Sequence, residues 1–235
     1  MSFPQLNDLS EGSTEAVQQI ETVAQSEGTL SIIELIIGAG WYIMVPLALL
    51  GFIAIYITIE RYIAIQKANK VDKDFMDRIR DYITDGKIDA AKDYCGSQNT
   101  PMANMLSKGI SKIGRSMKEI SVSIENVGKL EIFKLEKGLS TLATIAGAAP
   151  MIGFLGTVVG MIVTFHSMKI SGQGVEIADL SGGIMQAMVT TVAGLIIGIV
   201  AYIAYNYLVS KVDKVVNRME AVSVDFLDIL DEPVK

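Results

Sequence analysis

The side chains in this sequence that could do chemistry are a few hydroxyls and one amide set among glycines. Within residues 139–165, Gly153, Thr157, Gly160 and Thr164 follow the offsets i, i+4, i+7 and i+11; within 182–210, Ala187, Thr191, Gly194 and Gly198 repeat them. At helical periodicity each set forms one narrow stripe on a helix otherwise built of Val, Ile, Leu and Met. Two chemistries fit such stripes. One is close helix packing: Gly156 to Gly160 and Gly194 to Gly198 both have GxxxG spacing, which lets backbones approach, and Pro150 lies on the first of the two helices. The other is a polar pathway, or a grip on another helix, in which Thr157, Thr164, Thr190, Thr191 and Gln186 orient water or coordinate a cation. Packing accounts for the glycines. It accounts less well for the hydroxyls and the amide, which need partners or water in an apolar setting.

The elements that must carry these stripes are three uncharged stretches, 35–59, 139–165 and 182–210. About 20 apolar residues at helical rise match the hydrocarbon thickness of a bilayer, and backbone groups cannot sit unpaired in lipid unless the segment is helical. The expected fold is therefore all-α and polytopic, with three transmembrane helices, the second and third extended into the cytoplasm. Charge sets the orientation. Residues 1–60 hold 7 acidic and no basic side chains, whereas 61–138 hold 15 basic against 11 acidic ones. Lys169 is the one basic residue between 166 and 181, and Lys211, Lys214, Arg218 and Lys235 follow position 210. Basic residues near span ends stay cytoplasmic. The sequence thus divides into an outer segment 1–34, a first span 35–60, a cytoplasmic helical domain 61–138, a second span 139–165, an outer loop 166–181, a third span 182–210 and a cytoplasmic helical tail 211–235.

Without a basic region before the first apolar run, that run is expected to stay in the mature protein rather than be cleaved as a signal. In the outer segment Ala16, Val17, Ile20, Val23 and Ala24 are spaced for a short amphipathic helix; a disordered leader is the alternative. In the cytoplasmic domain Phe75, Ile79, Tyr82 and Ile83, then Met102, Met105, Leu106, Ile110 and Ile113, form amphipathic patterns separated by Gly86, Gly96 and the Thr100-Pro101 helix start. From Lys118 the pattern meets no proline before Pro150, which predicts one long helix entering the second span. After Ser210, Val212, Val215, Met219, Val222, Phe226 and Ile229 alternate at 4-3 spacing, and Pro233 marks the stop. That alternation predicts self-association, the alternative being a cover for the chain's own cytoplasmic segment.

Passing a proton through the bilayer interior normally requires a titratable group there, and none of the three uncharged stretches holds Asp, Glu, Lys or His. Threonine does not exchange a proton near neutral pH. The carboxylate must come from another chain. His166, the single histidine, reads as an interfacial anchor rather than a relay, and Glu34, Glu176 and Asp179 as solvated outer carboxylates. Cys95 is the one cysteine, so no intrachain disulfide or multi-cysteine metal site can form, and an inert, partly buried thiol is expected. No nucleophile–base pair, phosphate-binding glycine loop or metal cluster is evident, so neither an enzyme nor a nucleic-acid binder is expected, and no resident cofactor.

Two stretches also carry a resemblance. Residues 148–161, AAPMIGFLGTVVGM, are similar to the second-span signature of the MotA/TolQ/ExbB ion-channel family, and 186–195, QAMVTTVAGL, with Tyr205-Asn206, to its third span. The layout resembles the ExbB and TolQ branch most, since MotA would have four spans. The resemblance implies a bacterial inner-membrane subunit with a periplasmic N-terminus and cytoplasmic C-terminus. It further implies a homo-oligomer, a pentamer, around the transmembrane helices of a single-span ExbD- or TolR-like partner that supplies an Asp. Thr157 and Thr191 fall where the family places pore-facing threonines, with Gln186, Thr190 and Thr164 on the same pathway. Gly153, Gly156, Gly160, Ala187, Gly194, Gly198 and Pro150 would pack the helices or meet the partner. Gln186 departs from the branch, which usually has glutamate there. The implied work is ion-driven, by H+ or Na+, and energises TonB-dependent outer-membrane transport; TolQ-like envelope maintenance or a gliding motor are alternatives. A non-conducting scaffold among membrane lipids is the rival of another class.

Overall fold

The computed structural model describes residues 41–70, 74–171 and 177–231, which form helices and turns and no strand. The helices are α1 (Trp41–Ala68), α2 (Phe75–Thr84), α3 (Ile88–Gln98), α4 (Pro101–Ile110), α5 (Met117–Glu136), α6 (Leu139–Ser171) and α7 (Ile177–Asp231). Three stretches are long and apolar enough to cross a membrane: Trp41–Ala68, Met117–Ile170 and Leu180–Asp231. The fold is all-α, with three membrane-spanning helices. The outer amphipathic pattern before residue 41 and Pro233 lie outside the described residues.

The single helix expected from Lys118 is broken. Gly138 adopts φ 84, a left-handed conformation that favours glycine, so α5 ends at Glu136 and α6 begins at Leu139. The break frees carbonyls in the last turn of α5. Arg61, just past the C-terminal end of the uncharged run of α1, donates to one of them, the Lys134 oxygen, at 3.0 Å, and also pairs with Glu60. The third span behaves as expected: α7 continues without interruption for 55 residues, about 80 Å at 1.5 Å per residue.

The chain's contacts divide it into two compact units, Met1–Met44 with Gly156–Thr190, and Val45–Leu155 with Thr191–Lys235. In the second unit α2 to α5 pack around the C-terminal half of α7. Thr100 caps α4, its side chain accepting from the Ala103 amide at 3.4 Å with Pro101 at the first position, as the Thr-Pro pair predicts. Ser116 caps α5 in the same way, accepting from Glu119. Gly96 does not separate helices: it lies inside α3, and the turn falls at Asn99, whose φ of 47 terminates that helix. Phe75, Ile79, Cys95, Leu106, Ile124 and Phe226 form the centre of the core. Gly109 is where three helices meet, since a Cβ there would stand 2.7 Å from Ile124 Cδ1 and 2.9 Å from Phe226 Cε1.

This packing corrects one expectation. Val212, Val215, Met219 and Phe226, the core of the 4-3 alternation, are each at most 2 % exposed within the single chain. The periodicity on α7 is thus satisfied within the single chain, in one core with residues of α1 to α6, not by a second copy. Association between copies must use other surfaces.

Candidate functional site

The small-residue stripes meet each other, and the two units show it separately. In the Gly156–Thr190 unit, α6 and α7 pack antiparallel through absent side chains. A Cβ on Gly156 would fall 2.7 Å from Thr190 Cβ, and one on Gly160 would fall 2.8 Å from that of Ala187. Gly183 receives Thr164 in the same manner, its would-be Cβ 2.7 Å from Thr164 Cγ2. Only glycine opposite a small residue permits backbones this close. The Thr190 hydroxyl, buried, donates to the Ala187 carbonyl at 2.7 Å, and Thr164 donates to the Gly160 carbonyl at 2.9 Å. Each hydroxyl proton is therefore satisfied along its own helix.

In the other unit the same logic continues with backbone against backbone. A Cβ on Gly194 would meet Gly153 Cα at 2.9 Å, and one on Gly198 would meet Pro150 Cδ at 2.7 Å and the Ala146 carbonyl oxygen at 3.0 Å. Pro150 lacks an N–H, so the Ala146 carbonyl loses its ordinary helical donor. Gly198 is the residue that lets α7 lie against that turn. Beside this contact Thr191 Oγ1 donates to the Gly153 carbonyl at 3.0 Å, a hydrogen bond between helices. Thr191 thus holds α7 to α6 while its oxygen keeps acceptor capacity for water, a cation or a protonated carboxyl.

The structure therefore brings together Gly156 with Thr190, Gly160 with Ala187, Thr191 and Gly194 with Gly153, and Gly198 with Pro150. Thr157 is partly exposed and Gln186 exposed, as is His166. Glu34, Glu176 and the side chain of Asp179 lie outside what is described. Sequence reasoning missed Gly183 and the Ala146–Ala149 turn as packing partners. Gly183 stands four residues before Ala187, so extending the stripe by one turn would have found it. The carbonyl partners could not be read from residue types, because they are backbone. Among the described residues no group of His, Cys, Asp and Glu is arranged to hold a metal.

The family model of the MotA/TolQ/ExbB proton channel family matches residues 97–221, which include both stripes, α4 and α5. The chain belongs to this family. A biopolymer transport protein ExbB of Aquifex aeolicus is 38% identical over 104 residues, covering 43% of this chain and 70% of that protein. A putative ExbB homolog of Methanothermobacter thermautotrophicus is 27% identical over 183 residues, covering 77% of this chain and 63% of the relative, so the match spans less than two thirds of that archaeal protein. An ExbB of Helicobacter pylori is 40% identical over 79 residues, 34% of this chain and 54% of its own. In this chain the α6–α7 contact is built of glycine, alanine, proline and threonine, with no ionisable side chain.

Proposed function

We propose that this chain is the ring-forming subunit of an ion-motive-force-driven motor in a bacterial inner membrane, with its N-terminus periplasmic and its C-terminus cytoplasmic. Several copies, five by resemblance, surround the transmembrane helices of an ExbD- or TolR-like partner, which supplies the aspartate. H+ or Na+ descending its gradient binds that carboxylate against a wall to which α6 contributes Thr157 and Thr164 and α7 contributes Thr191 and Gln186, whereas Thr190, 1 % exposed beneath Gly156, packs the two helices instead of lining the wall. Movement of the partner relative to the ring then energises TonB-dependent transport at the outer membrane.

The observation that carries this reading is the pairing of a proton-channel family with three uncharged stretches that hold no Asp, Glu, Lys or His. A proton pathway needs an exchanging group near mid-membrane, and threonine does not provide one. Glutamine at 186 in place of the branch's usual glutamate removes one more candidate from this chain. Apolar side chains are left uncovered on a single copy, such as Phe52 at 75 % exposed, Phe154 at 65 % and Ile196 at 59 %. They require lipid or protein cover.

The scaffold reading has one observation in its favour: the glycine stripes are filled by each other within one chain. The two readings separate on the threonines. Reconstituted alone, the protein should not dissipate an ion gradient; with a single-span partner bearing an aspartate it should. Thr157→Val and Thr191→Val should stall that flux while the complex still assembles. Undiminished work from both variants would leave the scaffold standing.

A further inference from the structure

Two grooves lie end to end along the seam where α1 runs beside α7. The first, of about 270 Å³, is lined by Gly51, Ile55 and Ile59 of α1 and Ile197, Val200 and Ala204 of α7. Its one polar lining side chain, Thr58, donates its hydroxyl to the Ala54 carbonyl at 2.7 Å, so the groove offers an apolar wall. The second begins one turn further along both helices, at Tyr62, just past the end of the first uncharged run, and at Leu208, three residues before Lys211 ends the third. It is a cleft of about 290 Å³ lined by Gln66, Asn69 and three cations, Lys70, Lys211 and Lys214.

The cleft is organised rather than merely basic. Tyr62 and Tyr207 stack with ring centroids 6.4 Å apart, and Lys211 Nζ lies 5.3 Å from the Tyr207 ring centroid. Arg218 Nη1 donates to Asn69 Oδ1 at 2.7 Å, which ties the end of α1 to α7 and adds a fourth cation at the rim. Among the described residues no carboxylate forms an ion pair with Lys70, Lys211 or Lys214. Aromatic rings and lysines at the end of apolar helices mark the cytoplasmic headgroup layer.

We propose that this seam holds one anionic phospholipid of the cytoplasmic leaflet, an acyl chain in the apolar groove and the phosphate headgroup against Lys211, Lys214 and Lys70. The combination selects the ligand. An apolar channel within the hydrocarbon layer excludes a soluble phosphate as the whole occupant, and a cleft with unpaired lysines disfavours an uncharged lipid. From Ile55 to Gln66 the helix rises about 16 Å at 1.5 Å per residue, about the depth of one leaflet's acyl layer, half of a hydrocarbon core of about 30 Å. A zwitterionic headgroup brings its own amine toward the same lysines and loses the advantage. The site does not depend on the ion-driven reading, and a scaffold of the same fold would carry it.

The test uses the assembled full-length protein in mild detergent, incubated with equal amounts of phosphatidylglycerol and phosphatidylcholine of matched chains, with retained lipid read by native mass spectrometry. The wild type should retain phosphatidylglycerol preferentially. The double variant Lys211→Gln, Lys214→Gln should lower that preference about 30-fold, from roughly 1 kcal/mol per lysine near a headgroup, with circular dichroism unchanged. Val200→Trp, which fills the groove from an exposed position, should reduce retention of both lipids. Equal retention of the two lipids by the wild type, or an unchanged preference in the double variant, would overturn the site. So would displacement of bound lipid by millimolar inorganic phosphate, which would make it a soluble-anion site. A change in oligomer mass with Val200→Trp and no change in lipid retention would assign the groove to a neighbouring subunit instead.

Discussion

Gly194→Ala tests whether the glycine stripe and the Thr191 hydrogen bond are one device. The new Cβ would stand 2.9 Å from Gly153 Cα, which belongs to backbone and cannot rotate away. Carbon–carbon contacts settle near 3.5–4.0 Å, so α7 must retreat locally by about 0.6–1.1 Å. The Thr191 Oγ1 to Gly153 carbonyl distance is 3.0 Å at the same residue of α6, and the same retreat stretches it to about 3.6 Å or more, beyond a hydrogen bond. Overpacking should cost about 1–3 kcal/mol, and the lost interhelical bond about 0.6 kcal/mol more, with about 1.7 kcal/mol as an upper figure. Thr191→Val alone removes the bond without changing shape, so it should cost that smaller amount in the wild type and close to nothing in the Gly194→Ala background. The assay is denaturant or thermal loss of helicity in detergent for the four proteins of the cycle, with Gly147→Ala as control because nothing lies within 4 Å of a Cβ there. A Thr191→Val cost of the same size in both backgrounds would refute the coupling.

What the sequence makes legible here follows from what each signal is made of. Hydrophobic thickness is a property of side chains in sequence, so the three spans and the all-helical class could be read directly. The Thr100-Pro101 start of α4 could be read because capping is local, needing one hydroxyl and a fixed proline φ. The 4-3 pattern after Ser210 was visible as a face but not as a destination. Periodicity states that Val212, Val215, Met219 and Phe226 share a side, and only tertiary structure states that the chain's own helices cover it. The break at Gly138 was missed for a related reason. A glycine inside a helical pattern is compatible with continuing the helix, and the positive φ is imposed by the junction beside Arg61 and Ile57, far away in sequence. Gly153, Gly156 and Gly160 of α6 lie against Gly194, Thr190 and Ala187 of α7. Glycines pack the pair together, and the threonine between them uses its proton inside the chain while its oxygen keeps acceptor capacity.

Two further outcomes are expected in the α2–α5 bundle. Gly109→Ala should destabilise by about 1–3 kcal/mol, because its Cβ would crowd Ile124 and Phe226, whereas Gly96→Ala, open on all sides within α3, should stabilise by up to about 1 kcal/mol; melting both variants beside the wild type checks this, and shifts of the same sign would argue against the α4–α5–α7 packing. Cys95 gives a pH test with a definite sign. It is fully buried in α3, and burial pushes its thiol up to about 12. In an unfolded chain the thiol ionises near about 8.5. Between those values the unfolded state holds fewer protons than the folded one, so stability falls as pH rises, by about 1.4 kcal/mol per pH unit once the unfolded thiol is ionised, and the term is absent below about pH 8. The native protein should accordingly resist iodoacetamide at pH 8 and react fully in denaturing detergent. Cys95→Ala abolishes the titration, so its stability should decline less steeply than the wild type's between about pH 9 and 11. Parallel decline of the two proteins across that interval, or rapid alkylation of the folded protein at pH 8, would mean that the thiol is not held in the interior where the helices place it.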